Sequence, residues 1–501
     1  MEPVQATAGS RSFTAGELVV SCDPLVWVLE SNAYKTRCAY CLKENRQLRT
    51  CSGCKLHRYC SVSCQTADWK VEHKLECSLL KQSGTGSSME TDRGPSGSST
   101  QYSLDVPREL ILKLINKLKL NTMIETSELG PKSAKELWNM LPSNPKLSNI
   151  NPTEQLCLSV VTDPQLGCSV ADMVKYYANI AHNAMPIVDA VIGTAPIGMA
   201  VYPLASPRLM TPVCWDMNVV MTFRGRRLFV RAAEDINNYT GLKDLRYNEM
   251  QEPFYLSRAG RRAEFEKLHG YPCTCRKCTP QYEAEINPFK CATVGCTNRI
   301  PSDVRALQPC TECGAVNKER LKRYHHYMQQ HEAIKTRFPN QIHNPLVADL
   351  CKELDAADIL HPDAHIRYVL GWEVPRKLYD ANRFEEGWKM MQELIVCARN
   401  IYPKYETFRA LVMSIAGASS IDALKKRVVG RVGQLSAAEK KQLQIMSETA
   451  CPVILDYCRE SANIFETLYG ENSKEALEGL ALVARTTRYV HEIERAFRGR
   501  K

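Results

Sequence analysis

Eight side chains with soft metal-binding atoms fall between Cys38 and Cys77, and no other stretch restricts the fold of this chain as tightly. They run CxxC, nine residues, CxxC, five residues, Cys, three residues, Cys, eight residues, His, three residues, Cys. A structural Zn²⁺ takes four such ligands, so the window supplies two ions. A CxxC loop turns both thiolates toward one ion, and His73 and Cys77, at i and i+4, share one helix face. The expected pairing is interleaved, with Cys38, Cys41, Cys60 and Cys64 around one ion and Cys51, Cys54, His73 and Cys77 around the other. Closed sites of this kind leave no coordination position for a substrate, so the window predicts metal-dependent folding rather than catalysis.

Metal also accounts for the cysteine total. The chain holds 22 cysteines in 501 residues. No amino-terminal apolar run follows a basic stretch, so the expectation is an intracellular protein whose thiols stay reduced. The formal charge is +10, and much of it is local: between Lys35 and Lys81, ten Lys or Arg face four Asp or Glu, a net of +6. Such a patch attracts nucleic acid or acidic proteins, and it is equally the usual means of solubilising a small metal knuckle. The apolar stretch Ala184 to Leu204 is interrupted by Asp189 and by Pro186, Pro196 and Pro203. A spanning helix wants about 20 clean apolar residues, so buried strands and turns are expected there and no membrane contact.

With 44% hydrophobic and 24% charged residues the chain is globular, and its length allows about three domains. The Gly/Ser-rich run 83–100 has almost nothing to bury and reads as a flexible loop. VPRELILKLINKL (106–118) puts Leu110, Ile111, Leu114, Ile115 and Leu118 at helical spacing. Over 197–236, MAVYPL, VVMTF and RLFVRAAEDI read as short strands parted by Gly and Pro. After Lys318 the pattern is helix, short turn, helix, which suggests a stacked array of tetratricopeptide kind. Just before it, CATVGC, thirteen residues, CTEC has the spacing of a paired zinc knuckle on Cys291, Cys296, Cys310 and Cys313. Cys22, Cys157, Cys168, Cys351, Cys397, Cys451 and Cys458 stand outside these groups and read as small buried hydrophobes.

The string CAYCLKENRQLRTCSGCKLHRYCSVSCQTADWKVEHKLEC resembles a MYND finger, including Tyr59-Cys60 and Trp69 ahead of the histidine. Before it, FTAGELVVSCDPLVWVL resembles the first strands of a SET domain. After it, IAHNAMPI (180–187), MAVYPLASPRLM, LFVRAAEDI and YPCTCRKC follow in the order of the SMYD family, whose SET domain is split by such a finger. The resemblance implies an α+β fold: a small β-rich SET domain split by the zinc-binding finger, followed by zinc knuckles and an all-α, TPR-like helical domain. The implied boundaries are 1–34 for the first SET strands, 35–81 for the finger, 82–105 for the linker and 106–180 for a helical SET insert. The SET core takes 181–250, the post-SET zinc region 251–318 and the helical domain 319–501. Cys214, Cys273, Cys275 and Cys278 correspond to the family's post-SET zinc site, giving a third ion, and the knuckle gives a fourth.

The SMYD proteins resembled here are S-adenosylmethionine-dependent protein-lysine methyltransferases. Attack on the sulfonium methyl needs a neutral amine aligned in a narrow, dry channel, so alignment and desolvation carry the rate. By the resemblance Tyr247 lines that channel, the other reading being an ordinary surface tyrosine. Tyr271 corresponds to the ring stacked on the adenine. Asn183 corresponds to a cofactor-binding asparagine, or is an ordinary turn or cap residue. The family's Asn-His-Ser-Cys stands here as Thr211-Pro212-Val213-Cys214, and proline has no backbone N–H to donate. The Gly-x-Gly turn near residues 8–12 and the Gly-Glu-Glu-Leu run at TGLKDL are not recognisable. The zinc elements are kept while three elements for S-adenosylmethionine are weakened. The expectation is a zinc-binding SMYD-type protein acting mainly through protein–protein interaction in nucleus and cytoplasm, by its finger and helical domain. A short proline-containing peptide is the implied ligand of the finger, with nucleic acid or chromatin a further partner of its basic surface. The alternative is an active protein-lysine N-methyltransferase.

Overall fold

A computed structural model describes residues 11–30, 33–74, 76–77, 81, 108–124, 130–141, 169–188, 196–204, 209–248, 258–337, 359–361, 364, 374–429 and 431–498. The run 83–100, most of the segment near 8–12, and Cys157, Cys168 and Cys351 lie outside them.

The β-rich runs form small sheets around one core. The strands are β1 (Arg11–Phe13), β2 (Leu18–Cys22) and β3 (Val26–Leu29), then β4 (Arg49–Thr50) and β5 (Arg58–Tyr59) within the finger. A short antiparallel pair, β6 (Met123–Ile124) and β7 (Lys132–Ser133), precedes β8 (Ala184–Ile187), β9 (Gly198–Val201) and β10 (Thr211–Pro212). The set closes with β11 (Val219–Arg224), β12 (Arg227–Ala232), β13 (Ile236–Tyr239) and β14 (Arg246–Tyr247). Two three-stranded sheets, ordered β11-β12-β2 and β3-β9-β8, supply the centre. β1 pairs with β13, and β10 runs parallel to β14. Along β12, Leu228, Val230 and Ala232 are buried while the residues between them are half-buried, the period of two that fixes which face meets the core. The apolar stretch 184–204 holds the antiparallel pair β8–β9, and no described helix is long and apolar enough to cross a membrane.

Helices flank the sheets. α1 (Val62–Asp68) belongs to the finger; α2 (Arg108–Leu120) buries Leu110, Ile111, Leu114, Ile115 and Leu118 against β3. α3 (Ala134–Met140) and α4 (Val170–Asn183) each start on a capping box, Ser133 with Glu136 and Ser169 with Asp172. α5 (Arg258–His269) and α6 (Pro280–Ile286) bracket Cys273, Cys275 and Cys278, and the strands β15 (Phe289–Lys290) and β16 (Arg299–Ile300) lead into α7 (Lys318–Arg337). The carboxyl-terminal domain comprises α8 (Val374–Asp380), α9 (Phe384–Ile401), α10 (Thr407–Val429), α11 (Ala437–Tyr469) and α12 (Lys474–Arg498). Short connections turn α10, α11 and α12 back on one another, and all three pack together. Several contacts among the described residues join this domain to the sheets, including the Tyr405 N–H to the Ala233 carbonyl at 3.1 Å. Val220 of β11 packs with Ile464 and Leu468, and the Thr222 hydroxyl donates to the Leu468 carbonyl at 3.1 Å. Val213, Trp215 and Phe265 share a core with Trp388, Met391 and Ile395 of α9, so the loop carrying Cys214 is held from both sides.

Candidate metal centres and cofactor cleft

The sixteen expected ligands converge as four quartets: Cys38, Cys41, Cys60 and Cys64; Cys51, Cys54, His73 and Cys77; Cys214, Cys273, Cys275 and Cys278; Cys291, Cys296, Cys310 and Cys313. Within each quartet the ligand atoms lie within 4.8 Å of one another. A tetrahedron with Zn–S bonds of about 2.3 Å has edges of about 3.8 Å. The sulfur pairs run from 3.1 Å for Cys214–Cys278 and 3.4 Å for Cys291–Cys313 to 3.8 Å for Cys51–Cys77, Cys214–Cys275 and Cys296–Cys310. Donor chemistry and spacing therefore fit zinc. Local hydrogen bonds prepare the thiolates: the Asn298 amide, 3.2 Å from Cys310 Sγ, holds that thiol down at about 6. Gly53 is required by close approach, since a side chain there would meet Cys77 Sγ at 2.5 Å.

The finger's second quartet depends on one helix. The Ser61 hydroxyl accepts the Cys64 N–H at 3.1 Å and starts α1, which runs on into a wider π turn at Trp69–His73. That turn aims His73 Nε2 at Cys51 and Cys54, 3.3 and 3.6 Å away. Behind the quartet, the Tyr59 hydroxyl donates to Asp68 Oδ2 at 2.7 Å, and His57 stacks on His73 with centroids 4.3 Å apart. Burial raises the Asp68 carboxyl, but His57, Lys113 and Tyr59 outweigh it and hold the group below the usual carboxylate range.

Three of the finger's four acids, Asp68, Glu72 and Glu76, are buried, while none of its ten Lys and Arg is. The solvent face is thus more basic than the sequence count. The buried acids look inward to α2: Lys113 Nζ lies 3.8 Å from Glu72 and 3.5 Å from Glu76, and Lys117 pairs with Glu72 and donates to the Leu25 carbonyl at 2.6 Å. Trp27 of β3 lies under both ammonium groups, at 5.3 and 5.1 Å. From the other side, the β11–β12 turn reaches the first quartet. Arg226 stacks over Tyr40 at 4.2 Å, and Gly225, at φ +63, would meet the Cys41 carbonyl at 2.5 Å if it bore a side chain. The finger is clamped to the sheet half at both of its metal quartets.

The second site is a cleft of about 730 Å³ where β10, β14 and the loop 271–276 meet. Tyr271 and Phe265 form an aromatic wall, with ring centroids 5.6 Å apart at 75°. The opposite wall is β10. Thr211 N and Val213 N donate to Leu245 O and Tyr247 O at 2.8 and 2.9 Å. Strand alternation puts the backbone of the intervening residue on the other edge, and that residue is Pro212, which has no N–H to offer. The Thr211 hydroxyl is turned to the Lys243 carbonyl at 2.8 Å. The charged groups at the rim engage one another: Arg246 Nε donates to the Asp216 carbonyl at 2.7 Å and lies near its carboxylate, and Arg276 Nη2 stands 3.4 Å from Asp216 Oδ1. The ring wall fits a purine, whereas the β10 edge lacks a donor that S-adenosylmethionine would need, so the fit to that cofactor is incomplete.

Of the three residues tied by resemblance to methyl transfer, Tyr271 lines this cleft and the other two do not. Tyr247 is 1% exposed inside the sheet core, packed there by the pairing of β14 with β10, so it is not a surface tyrosine. Asn183 is buried at the end of α4, where its Nδ2 donates to the Asn179 carbonyl at 2.8 Å. Sequence reasoning missed Phe265, Asp216, Arg246 and Arg276 in the cleft, which no local pattern joins. It also missed Lys113 and Lys117, for which a signal exists: both fall on the helix stripe of Leu110, Leu114 and Leu118, where charge is buried only with a partner.

Residues 38–77 match the MYND finger family model. The chain is 28% identical over 277 residues to the N-lysine methyltransferase SMYD2-B of Xenopus laevis, covering 54% of this chain and 57% of that protein. It is 22% identical over 314 residues to the histone-lysine N-methyltransferase ASHR1 of Arabidopsis thaliana, covering 59% and 58%. Over 77 residues it is 42% identical to a SET and MYND domain-containing protein of Dictyostelium discoideum, covering 14% of each. The chain thus spans less than two thirds of the length of these relatives. The MYND finger match and these SMYD2 and SET/MYND relatives together support the SMYD family for this chain, at modest identity.

Proposed function

We propose that this chain is a zinc-stabilised interaction protein that keeps the SMYD architecture around a degenerate cofactor cleft. The observation that carries the reading is Pro212: β10 spends the N–H groups of Thr211 and Val213 on β14, and its outer edge at the cleft has no donor. Each missing hydrogen bond to a buried cofactor group costs about 1–3 kcal/mol of affinity. The finger supports the interaction role. None of its ten bases is buried, and Leu56, Val62 and Trp69 are exposed on the same finger, a surface suited to a short proline-containing peptide with acidic flanks. The same basic face suits chromatin-associated partners, in keeping with work in nucleus and cytoplasm, while the helical domain offers a second contact surface.

A second reading, protein-lysine N-methyltransferase, is favoured by the Tyr271–Phe265 wall and by the lysine methyltransferases among the relatives. Calorimetric titration of the full chain with S-adenosylmethionine separates the two. No measurable heat at micromolar protein is the expected result. Tight binding together with methylation of lysine peptides would overturn the interaction reading.

A further inference from the structure

We infer that Glu76 and Lys113 set the metal affinity of the finger's second quartet, so that this site is built jointly by the finger and by α2 of the SET insert. The inference rests on the zinc reading of Cys51, Cys54, His73 and Cys77.

His73 Nε2 faces the sulfurs of Cys51 and Cys54, so with a metal bound there the ring's proton sits on Nδ1. His73 is fully buried, and the Nδ1–H needs an acceptor inside the protein. Glu76 Oε2 stands 3.8 Å from Nδ1. A shift of roughly 1 Å brings that contact to hydrogen-bond length. His57, stacked on His73 at 4.3 Å, limits rotation of the ring away from it. A carboxylate in that role raises the basicity of the ligand nitrogen and fixes its direction.

The carboxylate has its own requirement. Three thiolates and one imidazole already give a Zn²⁺ site a net charge of −1, and a further buried anion beside it is unfavourable unless countered. Lys113 Nζ, 3.5 Å from Glu76 Oε1, is the counter-charge, and it comes from outside the finger. The order is metal quartet, His73, Glu76, Lys113, Trp27 of β3. Lys117 lies beside this chain of contacts and pairs with Glu72 instead. It therefore contributes to docking the finger without touching the residue that supports His73. Glu76 and Lys113 are positioning residues, acting through His73.

The test uses the full chain with Co²⁺ in place of zinc, because a tetrahedral site of three sulfurs and one nitrogen has d–d bands distinct from those of four-sulfur sites. Chelator competition then reads that site separately. Lys113→Met and Glu76→Ala should each weaken it by about 10–100-fold while the four-sulfur sites hold. Lys113→Arg should restore parental affinity, and Glu76→Gln should fall between Ala and parent. Lys117→Met is the control, expected to leave the site within threefold of the parent. Unchanged affinity in both Lys113→Met and Glu76→Ala would overturn the inference, as would equal weakening by Lys117→Met or uniform loosening of all four ions. Absence of the sulfur–nitrogen band in the unsubstituted protein would instead strike down the zinc reading of the quartet.

Discussion

The finger buries its charged pairs, whereas the cleft carries them at its exposed rim. In the finger, Glu72 and Glu76 point inward to Lys113 and Lys117, and the thiolates are left free to converge on metal. In the cleft, Asp216, Arg246 and Arg276 engage one another across the mouth, and the strand edge behind them is a proline. The first arrangement attaches a domain; the second lines the rim of an open cleft. Cys214, two residues from Pro212, still converges with its three partner thiols, so the proposed loss of a donor at the cleft leaves the metal quartet beside it intact.

The largest expected effect tests whether the finger is separate from the rest in energy as well as in sequence. Cys54→Ser removes one ligand of the second quartet, and structural zinc sites of this type contribute on the order of 10 kcal/mol to local folding. Elemental analysis should fall from about four ions per chain to about three, with the melting of the α9–α12 domain unchanged because no ligand is shared. Two or fewer ions in the parent would break the assignment of the later quartets. Next in size is Glu72→Ala, which leaves Lys117 buried beside an apolar stripe without its carboxylate; losing one partner of a buried pair costs about 3–5 kcal/mol. Amide exchange in α2 should rise with it. A loss under about 1 kcal/mol would mean that the finger is merely adjacent to the sheets.

How much of this was legible follows the same division. The finger's eight ligands sit in 40 consecutive residues, so spacing alone grouped them, and the helix at 108–120 was visible in its leucine stripe. The knuckle on Cys291 to Cys313 was legible for the same reason. The cleft was not, because Asp216, Arg246 and Phe265 come together only when β10 pairs with β14 and Phe265 of α5 packs with Val213 and Trp215. Nothing local indicated that Asn183 would turn to the Asn179 carbonyl, or that Tyr247 would be enclosed by the sheet core. The π turn that aims His73 is likewise absent from the i, i+4 argument, which assumed a regular helix.

The helical domain supplies a metal-independent reference for the comparison. Glu406 is buried at the start of α10, where it accepts the Arg409 N–H at 3.1 Å, and burial pushes its carboxyl up to about 7. A carboxyl raised in the folded state contributes stability that is fully present below its unfolded value, about 4.5, and lost as pH rises through about 7. Glu406→Gln should therefore melt above the parent at pH 8, by up to about 3 kcal/mol, and converge with it near pH 4. If the parent's pH dependence persists in the variant, the titrating group lies elsewhere. Because chelators should leave this profile unchanged, it separates loss of the finger from loss of the whole fold.

The smallest effect falls on the cleft and bears on function. Thr211→Asn with Pro212→His returns an N–H to the outer edge of β10 and a polar side chain beside it, without touching Cys214. Two recovered contacts should raise S-adenosylmethionine affinity by about 1–3 kcal/mol, or roughly 10–100-fold, read by titration calorimetry. The single change Pro212→Ala restores the N–H alone and should give part of the gain. If the double variant binds no better, the engaged charges at the rim are the barrier, and adding Asp216→Asn, which removes the carboxylate that Arg276 faces, should then release it. If the parent already binds tightly, the missing donor on β10 is tolerated, and the contrast between an intact finger and a disabled cleft is wrong.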